Sequence, residues 1–219
     1  MKFPSFLVIA LLLSVQMFSQ KSNDNAGRNT NSYIVVNALS LGDPFAPRIR
    51  VGYLQHIKDR FKLGVDVGFG GNLNNFNQDA GESYQLWEIR PELYYILKPE
   101  ARTIKYISAE FFYINQENVF INDDFQREDG VDIAFDSADY RRQKYGMHLK
   151  FGLFLDIGKH MGFNFFGGVG FRFRNNAYTN VINPVERSIL REWYVGPQVE
   201  QGANFRVNPS LGFKFYYKL

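Results

Sequence analysis

The sequence predicts an all-β chain, a transmembrane antiparallel up-and-down β-barrel of about eight strands, and three observations lead there. The first is residues 207–219. Leu211, Phe213, Phe215, Tyr217 and Leu219 share one parity, and Gly212, Lys214, Tyr216 and Lys218 share the other. That is the period of a strand with one apolar and one polar face. The second is composition. Aromatic residues make up 17% of the chain, with 22 Phe, 13 Tyr and 19 Gly, yet mean hydropathy is −0.28. After the N-terminal segment no apolar run approaches the roughly 20 residues of a spanning helix. Many aromatics at low mean hydropathy suit strands in which every second position is polar. The third is the connections, which alternate between short and long.

The N-terminus divides by chemistry. Residues 1–20 read as a secretory signal peptide: Lys2 is the charged start, residues 6–15 form the apolar core, and Ser19 and Gln20 lie near the cleavage point. Residues 21–32 are rich in Asn and Ser without periodicity, which predicts a short flexible tail before the 33–219 barrel. Cysteine is absent, so neither a lipid-modified cysteine nor a disulfide framework is available. An exported chain of this kind draws stability from a closed hydrogen-bonded sheet instead. Net charge is +3 with the two signs interleaved, which argues against a nucleic-acid footprint.

Alternation places the strands at 33–41, 48–57, 61–70, 84–97, 103–115, 141–157, 161–174 and 207–219. The third is the clearest, with Phe61, Leu63, Val65, Val67 and Phe69 against Lys62, Gly64, Asp66, Gly68 and Gly70. Connections at 58–60, 98–102 and 158–160 are short, whereas 71–83, 116–140 and 175–205 are long. Outer-membrane barrels have short periplasmic turns and long outer loops. With both termini periplasmic, the short connections fall where that topology wants them. Pro91 and Pro209 lie inside strands, where a missing N–H predicts bulges or strand ends shifted outward.

Volume decides which parity faces inward. An eight-strand barrel has an interior just wide enough for side chains to fill, and the large apolar residues of the odd parity exceed it. The odd parity is therefore assigned to lipid. Tyr33, Tyr53, Trp87, Tyr95, Tyr113 and Tyr217 are candidates for interfacial girdles. The even parity then shuts charges of both signs inside. A structural ion network is expected from Arg48, Arg50, Lys62, Asp66, Glu88, Arg90, Glu92, Glu110, His148, Lys150, Arg172 and Lys214. The competing reading of the same residues is a pore or proton path.

Catalytic chemistry is thin. Ser108 and Glu110 on the fifth strand face His148 on the sixth, but nucleophilic catalysis needs hydrogen-bond reach between them, and polar filling is the preferred reading. The 116–140 segment is acidic and reads as a solvated mobile loop; the alternative is ordering by calcium or magnesium on its carboxylates, whose spacing matches no EF-hand loop. The 175–205 segment is too apolar for a free loop. Ile189, Leu190, Trp193 and Tyr194 make it the candidate partner-binding surface, folded over the barrel mouth or extending the hairpin. The sequence holds no metal-ligand cluster and no phosphate-cradling or nucleotide fingerprint, so neither metal nor cofactor is expected.

The C-terminal strand resembles the insertion signal of bacterial outer-membrane β-barrels, with Tyr217 as its last aromatic residue. From Tyr33 onward the chain resembles the small eight-stranded outer-membrane proteins, OmpA-like in the barrel only. V-G-Y-L-Q-H from Val51 and E-I-R-P-E-L-Y-Y from Glu88 look similar to segments of Bacteroidota barrel families. The resemblance implies a Gram-negative envelope role in the cell outer membrane, with outer-membrane lipid around the barrel and a protein partner at the outer loops. The expected function is non-enzymatic, structural or partner-binding. The alternatives are a lipid-modifying enzyme and a narrow channel.

Overall fold

Eight strands close into a ring, every neighbouring pair antiparallel. The computed structural model describes residues 31–37, 39–43, 45–72, 81–98, 103–187 and 199–219. The signal-peptide reading of 1–20 and nearly all of the 21–32 tail lie outside the described residues. The strands are β1 (Tyr33–Asn37), β2 (Ile49–Lys58), β3 (Phe61–Gly71), β4 (Glu82–Ile96), β5 (Ile104–Gln126), β6 (Asp132–Asp156), β7 (Met161–Ile182), β8 (Val185–Arg187) and β9 (Gly202–Lys218). Seven of them pair in chain order, β9 joins β7 to β1, and β8 pairs only with the outer end of β6. Sequential up-and-down pairing needs only hairpin connections, which is what the short turns supply.

Alternation sorts the side chains as the period-two pattern requires. Phe69, Phe111, Leu149, Phe151 and Val169 stand exposed on the outside, while Lys62, Glu88, Glu92, Glu110, Lys150 and Lys214 are buried inside. Trp87 and Tyr113 neighbour each other with ring centroids 5.1 Å apart, and Phe61 and Tyr95 at 5.3 Å. Tyr33 departs from its predicted place among the girdle residues: it is wholly buried inside the ring. β1 presents its odd positions inward, because the chain breaks strand geometry between Asn37 and Ile49 and re-enters β2 on the opposite parity. The predicted first strand is accordingly shorter than expected, and Leu39–Gly42 forms a 3-10 turn.

An aromatic plug fills the end of the ring that carries the short turns. Tyr33 stacks on Phe154 at 5.3 Å, Tyr94 meets Tyr106 edge-on at 4.9 Å, and Tyr216 meets Tyr33 at 5.2 Å. Val35, Leu54, Ile96 and Ile104 complete this cluster. Three of the phenols find polar partners, as buried tyrosines require: Tyr94 donates to Glu92 at 2.6 Å, Tyr106 to Asn164 at 2.7 Å, and Tyr216 to Asp156.

At the other end the acidic 116–140 segment is not a mobile loop. β5 and β6 run on as a paired ladder to Gln126↔Asp132, leaving only a tight turn in which Arg127 N donates to the Val131 carbonyl at 2.8 Å. Arg127 also forks onto Asp129, and that contact holds the Asp129 carboxyl below the usual range. What stabilises the extension is a second core of Phe120, Phe125, Ile133, Phe135, Ala138, Tyr140 and Tyr178. Tyr178 is its centre, stacked on Phe125 at 4.3 Å and meeting Tyr140 at 5.1 Å. Burial pushes its phenol well up. The segment after 174 extends the hairpin likewise, since β7 continues to Ile182.

The prolines produce no bulges. In β4 the even residues send their main chain to β3 and the odd ones to β5, as Ile96 N to the Arg60 carbonyl and Leu97 N to the Lys105 carbonyl show. Pro91 therefore lacks its donor on the β5 side. There the pairing lapses between Ile89↔Tyr113 and Glu92↔Glu110 and resumes in the same register. Pro209 sits within β9, opposite Val169, with its nitrogen turned away from β7.

Replacing Tyr178 with alanine removes the centre of the outer core. The expected cost is about 3–5 kcal/mol, confined to the extension. Hydrogen exchange should show lost protection at the 120–138 amides and unchanged protection at β3 and β4.

Candidate functional site

The interior of the ring holds a continuous chain of alternating charges. It begins at Asp43, which takes Arg48 Nη1 at 3.0 Å, and passes to Glu88, which receives Arg48 at 3.0 Å, Arg50 at 2.7 Å and Arg90 at 3.0 Å. Arg90 then reaches Glu110 at 2.9 Å. Glu110 also meets Lys150 and the His148 Nδ1, the latter at 3.0 Å. Lys150 continues to Glu92 at 3.5 Å, Glu92 to Lys214 at 3.3 Å, and Lys214 to Asp66 at 2.6 Å.

Strand geometry makes the chain possible. Glu88, Arg90 and Glu92 occur at i, i+2 and i+4, so β4 alone presents three alternating charges to one face. Its neighbours face it in register, with Asp66 opposite Arg90 on β3, and Glu110 opposite Glu92 on β5 and His148 on β6. Glycine clears the space for two carboxylates. A Cβ at Gly52 would sit 2.0 Å from Asp66 Oδ1, and one at Gly68 would sit 2.5 Å from the Glu88 carboxylate. Burying so many ions costs several kcal/mol for each one, and only multiple close partners offset it. Glu88 and Glu110 each have three.

Ten sequence-nominated residues meet in this chain: Arg48, Arg50, Asp66, Glu88, Arg90, Glu92, Glu110, His148, Lys150 and Lys214. Lys62 is buried apart from it, at the aromatic end, where it donates to the Asn31 carbonyl at 2.8 Å and lies 4.8 Å over the Tyr33 ring. Arg172 is only partly buried and makes no ion pair among the described residues. The partner-surface residues Ile189, Leu190, Trp193 and Tyr194 lie outside the described residues. Asp43 was missed because it reads as a turn residue, and Asn164 and Asn208 because a neutral amide carries no charge pattern. Arg142 and Arg174 continue the even parity toward the outer end; they hold Gln116 and Glu200, the latter at 2.8 Å.

The Ser108, Glu110 and His148 arrangement does not assemble as a nucleophile site. Glu110 and His148 do pair, but Ser108 Oγ donates to Glu92 at 2.6 Å. The Nε2 of His148, which would have to take a serine proton, contacts Asn208 Nδ2 at 2.7 Å instead. Phe112 stacks on the imidazole at 4.8 Å. A histidine fixed on both nitrogens and one face is a packed structural element. Among the described residues no group of three His, Asp or Glu side chains is placed to hold a metal ion.

No protein-family model, no curated protein and no solved structure matches this chain.

Glu88→Gln and Glu110→Gln each remove a charge that neutralises three neighbours. Each should cost about 3–5 kcal/mol: Glu88→Gln takes from buried Arg50 the carboxylate it pairs with, and Glu110→Gln takes one from buried Arg90, Lys150 and His148 together. Denaturant unfolding in detergent reads that loss, and Glu117→Gln, on an exposed position, should leave the midpoint unmoved.

Proposed function

We propose that this chain is an outer-membrane β-barrel whose ring spans the bilayer, whose interior is closed by an ion network and an aromatic plug, and whose hairpins project outside. The observation that carries this reading is the inversion of burial. Phe111, Leu149, Phe151, Val169 and Leu155 lie on the outside, while Arg90, Glu88, Glu110, Lys150 and Lys214 are sealed within. Water around such a wall would face an apolar surface far larger than a few hundred Å². Acyl chains reverse the sign of that cost. The ring also suits a bilayer because, apart from one side of β9 at residues 203–213, neighbouring strands bond one another's main chain.

The role within the envelope is non-enzymatic. Among the described residues, His148 Nε2 meets Asn208 and not a hydroxyl, and Ser108 is held by Glu92, which weighs against a lipid-modifying reaction of serine type. The filled interior weighs against a channel. The hairpins formed by β5, β6 and β7 are ordered by their own aromatic core, a rigid platform suited to a protein partner or to stiffening the envelope.

Cell fractionation tests the reading. The chain should sediment with the outer membrane and remain there through an alkaline carbonate wash. Release by carbonate, or recovery in the soluble periplasm, contradicts it. In planar bilayers the purified protein should give no reproducible conductance steps.

A further inference from the structure

Among the described residues, the ladder between β9 and β1 covers only one end of β9. β1 ends at Asn37, and its last pair with β9 is Val36↔Phe215. In β9 the even residues bond β7, as Lys218 N to the His160 carbonyl at 2.7 Å shows, and the odd residues turn toward β1, as Leu219 N to the Ser32 carbonyl at 2.9 Å shows. Among the described residues, the odd positions from Ala203 to Phe213 therefore have no ladder on that side. Pro209 occupies one of them, where a missing N–H costs nothing. Leu211 is 89% and Val207 69% exposed, against 38% for Phe213 and Phe215 nearer the β1 contact.

The wall is missing because the chain that would lengthen β1 turns inward. Arg48 N donates to the Ser40 carbonyl at 3.0 Å, Ser40 Oγ reaches the Arg48 carbonyl at 2.7 Å, and Tyr84 donates to the Pro47 carbonyl at 2.9 Å. Ala46 is buried among Tyr84, Leu86, Phe112 and Ile114. Behind the gap lies a cavity of about 390 Å³ that runs from Asn208, Pro209, Ser210, Leu211 and Gly212 to the charged interior. Its lining carries Arg48, Arg50, Arg90, Lys144 and Lys150 against Asp43 and Glu110. Lys144 has no carboxylate partner among the described residues; its ammonium lies 5.8 Å from the Phe112 ring centroid. Arg48, Arg50, Arg90 and Lys150 already share Asp43, Glu88, Glu92 and Glu110, so Lys144 is the cation left over behind the apolar-edged opening, and an anion carried on an acyl chain would neutralise it. Irregular backbone at membrane depth is tolerated where it lines such a cavity.

We propose that the gap between β9 and β1 is a lateral entry through which the phosphate headgroup of a membrane amphiphile reaches Lys144 and the neighbouring arginines, its acyl chain lying along Val207 and Leu211. This inference rests on the bilayer reading above. Phosphate suits the site because its oxygens accept from several cationic donors at once. The main-chain N–H groups of Val207 and Leu211 add donors at the opening.

The test uses the full chain folded in neutral detergent, after its insertion into phosphatidylcholine vesicles has been checked. Calorimetric titrations would compare dihexanoyl phosphatidic acid, dihexanoyl phosphatidylcholine and inorganic phosphate. Phosphatidic acid should bind one to one, about tenfold or more tighter than either of the others. Lys144→Gln should weaken it about tenfold. Leu211→Asp, at a position 89% exposed on the rim of the cavity, should weaken it comparably by setting like charge at the opening. Equal binding of inorganic phosphate would mean that the anion enters alone, and would overturn lateral entry. Absence of binding, or binding indifferent to both substitutions, would overturn the site. A chain that fails to insert into vesicles defeats the bilayer reading itself, whereas one that inserts without discriminating defeats only the entry.

Discussion

Period two ties the outside of this sheet to its inside. A strand cannot move one residue along its neighbour without exchanging every side chain between faces. Here such a slip would carry Glu88, Arg90 and Glu92 to the exterior and drive Trp87, Ile89 and Leu93 into the ion chain. Register is therefore fixed twice, once by the apolar wall and once by ion pairs that close only in the observed alignment. The interior charges contribute less to raw stability than their number suggests, since desolvation offsets much of each attraction. Their greater effect is on uniqueness: only one closure of eight strands lets Glu88 meet three arginines and Lys214 meet Asp66 and Glu92.

The two ends of the ring use different chemistry for different tasks. At the short-turn end, interlocked tyrosines and Phe154 fill the cross-section and satisfy their hydroxyls locally. At the other end the hairpins carry a small core of their own, and the surplus of cations at Arg142, Lys144, Arg172 and Arg174 has fewer carboxylates to meet. The interior thus grades from apolar to balanced charge to excess positive charge. That gradient, combined with the short β1, sets a cationic cavity beside a break in the wall.

Much of this was legible in the chain because alternation survives wherever the two faces of a strand carry different chemistry, charged inside and apolar outside. β2, β3 and β4 could be placed within a residue or two, β9 begins five residues before its predicted start, and the even parity named most members of the ion chain. Three features escaped for physical reasons. β1 has too few residues to establish parity, and the 3-10 turn at Leu39–Gly42 looks like more strand by hydropathy. The outer halves of β5 and β6 lose strict alternation. Buried positions are even at Phe120 and odd at Phe125, with Asn122 at a φ of 51° between them, and odd at Phe135 but even at Ala138. Their aspartates face water and mimic a loop. Pro209 looked disruptive because sequence gives strand order without showing that, among the described residues, β1 pairs only with residues 215–218 of β9.

The central claim is that the ring's exterior is dissolved in acyl chains and its interior is closed to them. The chain has no cysteine, so single nitroxide labels introduced along β6 report one site each. The most direct measurement is the collision rate of such labels at residues 147–155 with oxygen, which concentrates in lipid, and with a water-soluble nickel chelate. Oxygen access should peak at 149, 151 and 155 and fall at 148, 150 and 154, with nickel access low throughout. Nickel access that peaks at 149, 151 and 155 would place that face in water and contradict the claim.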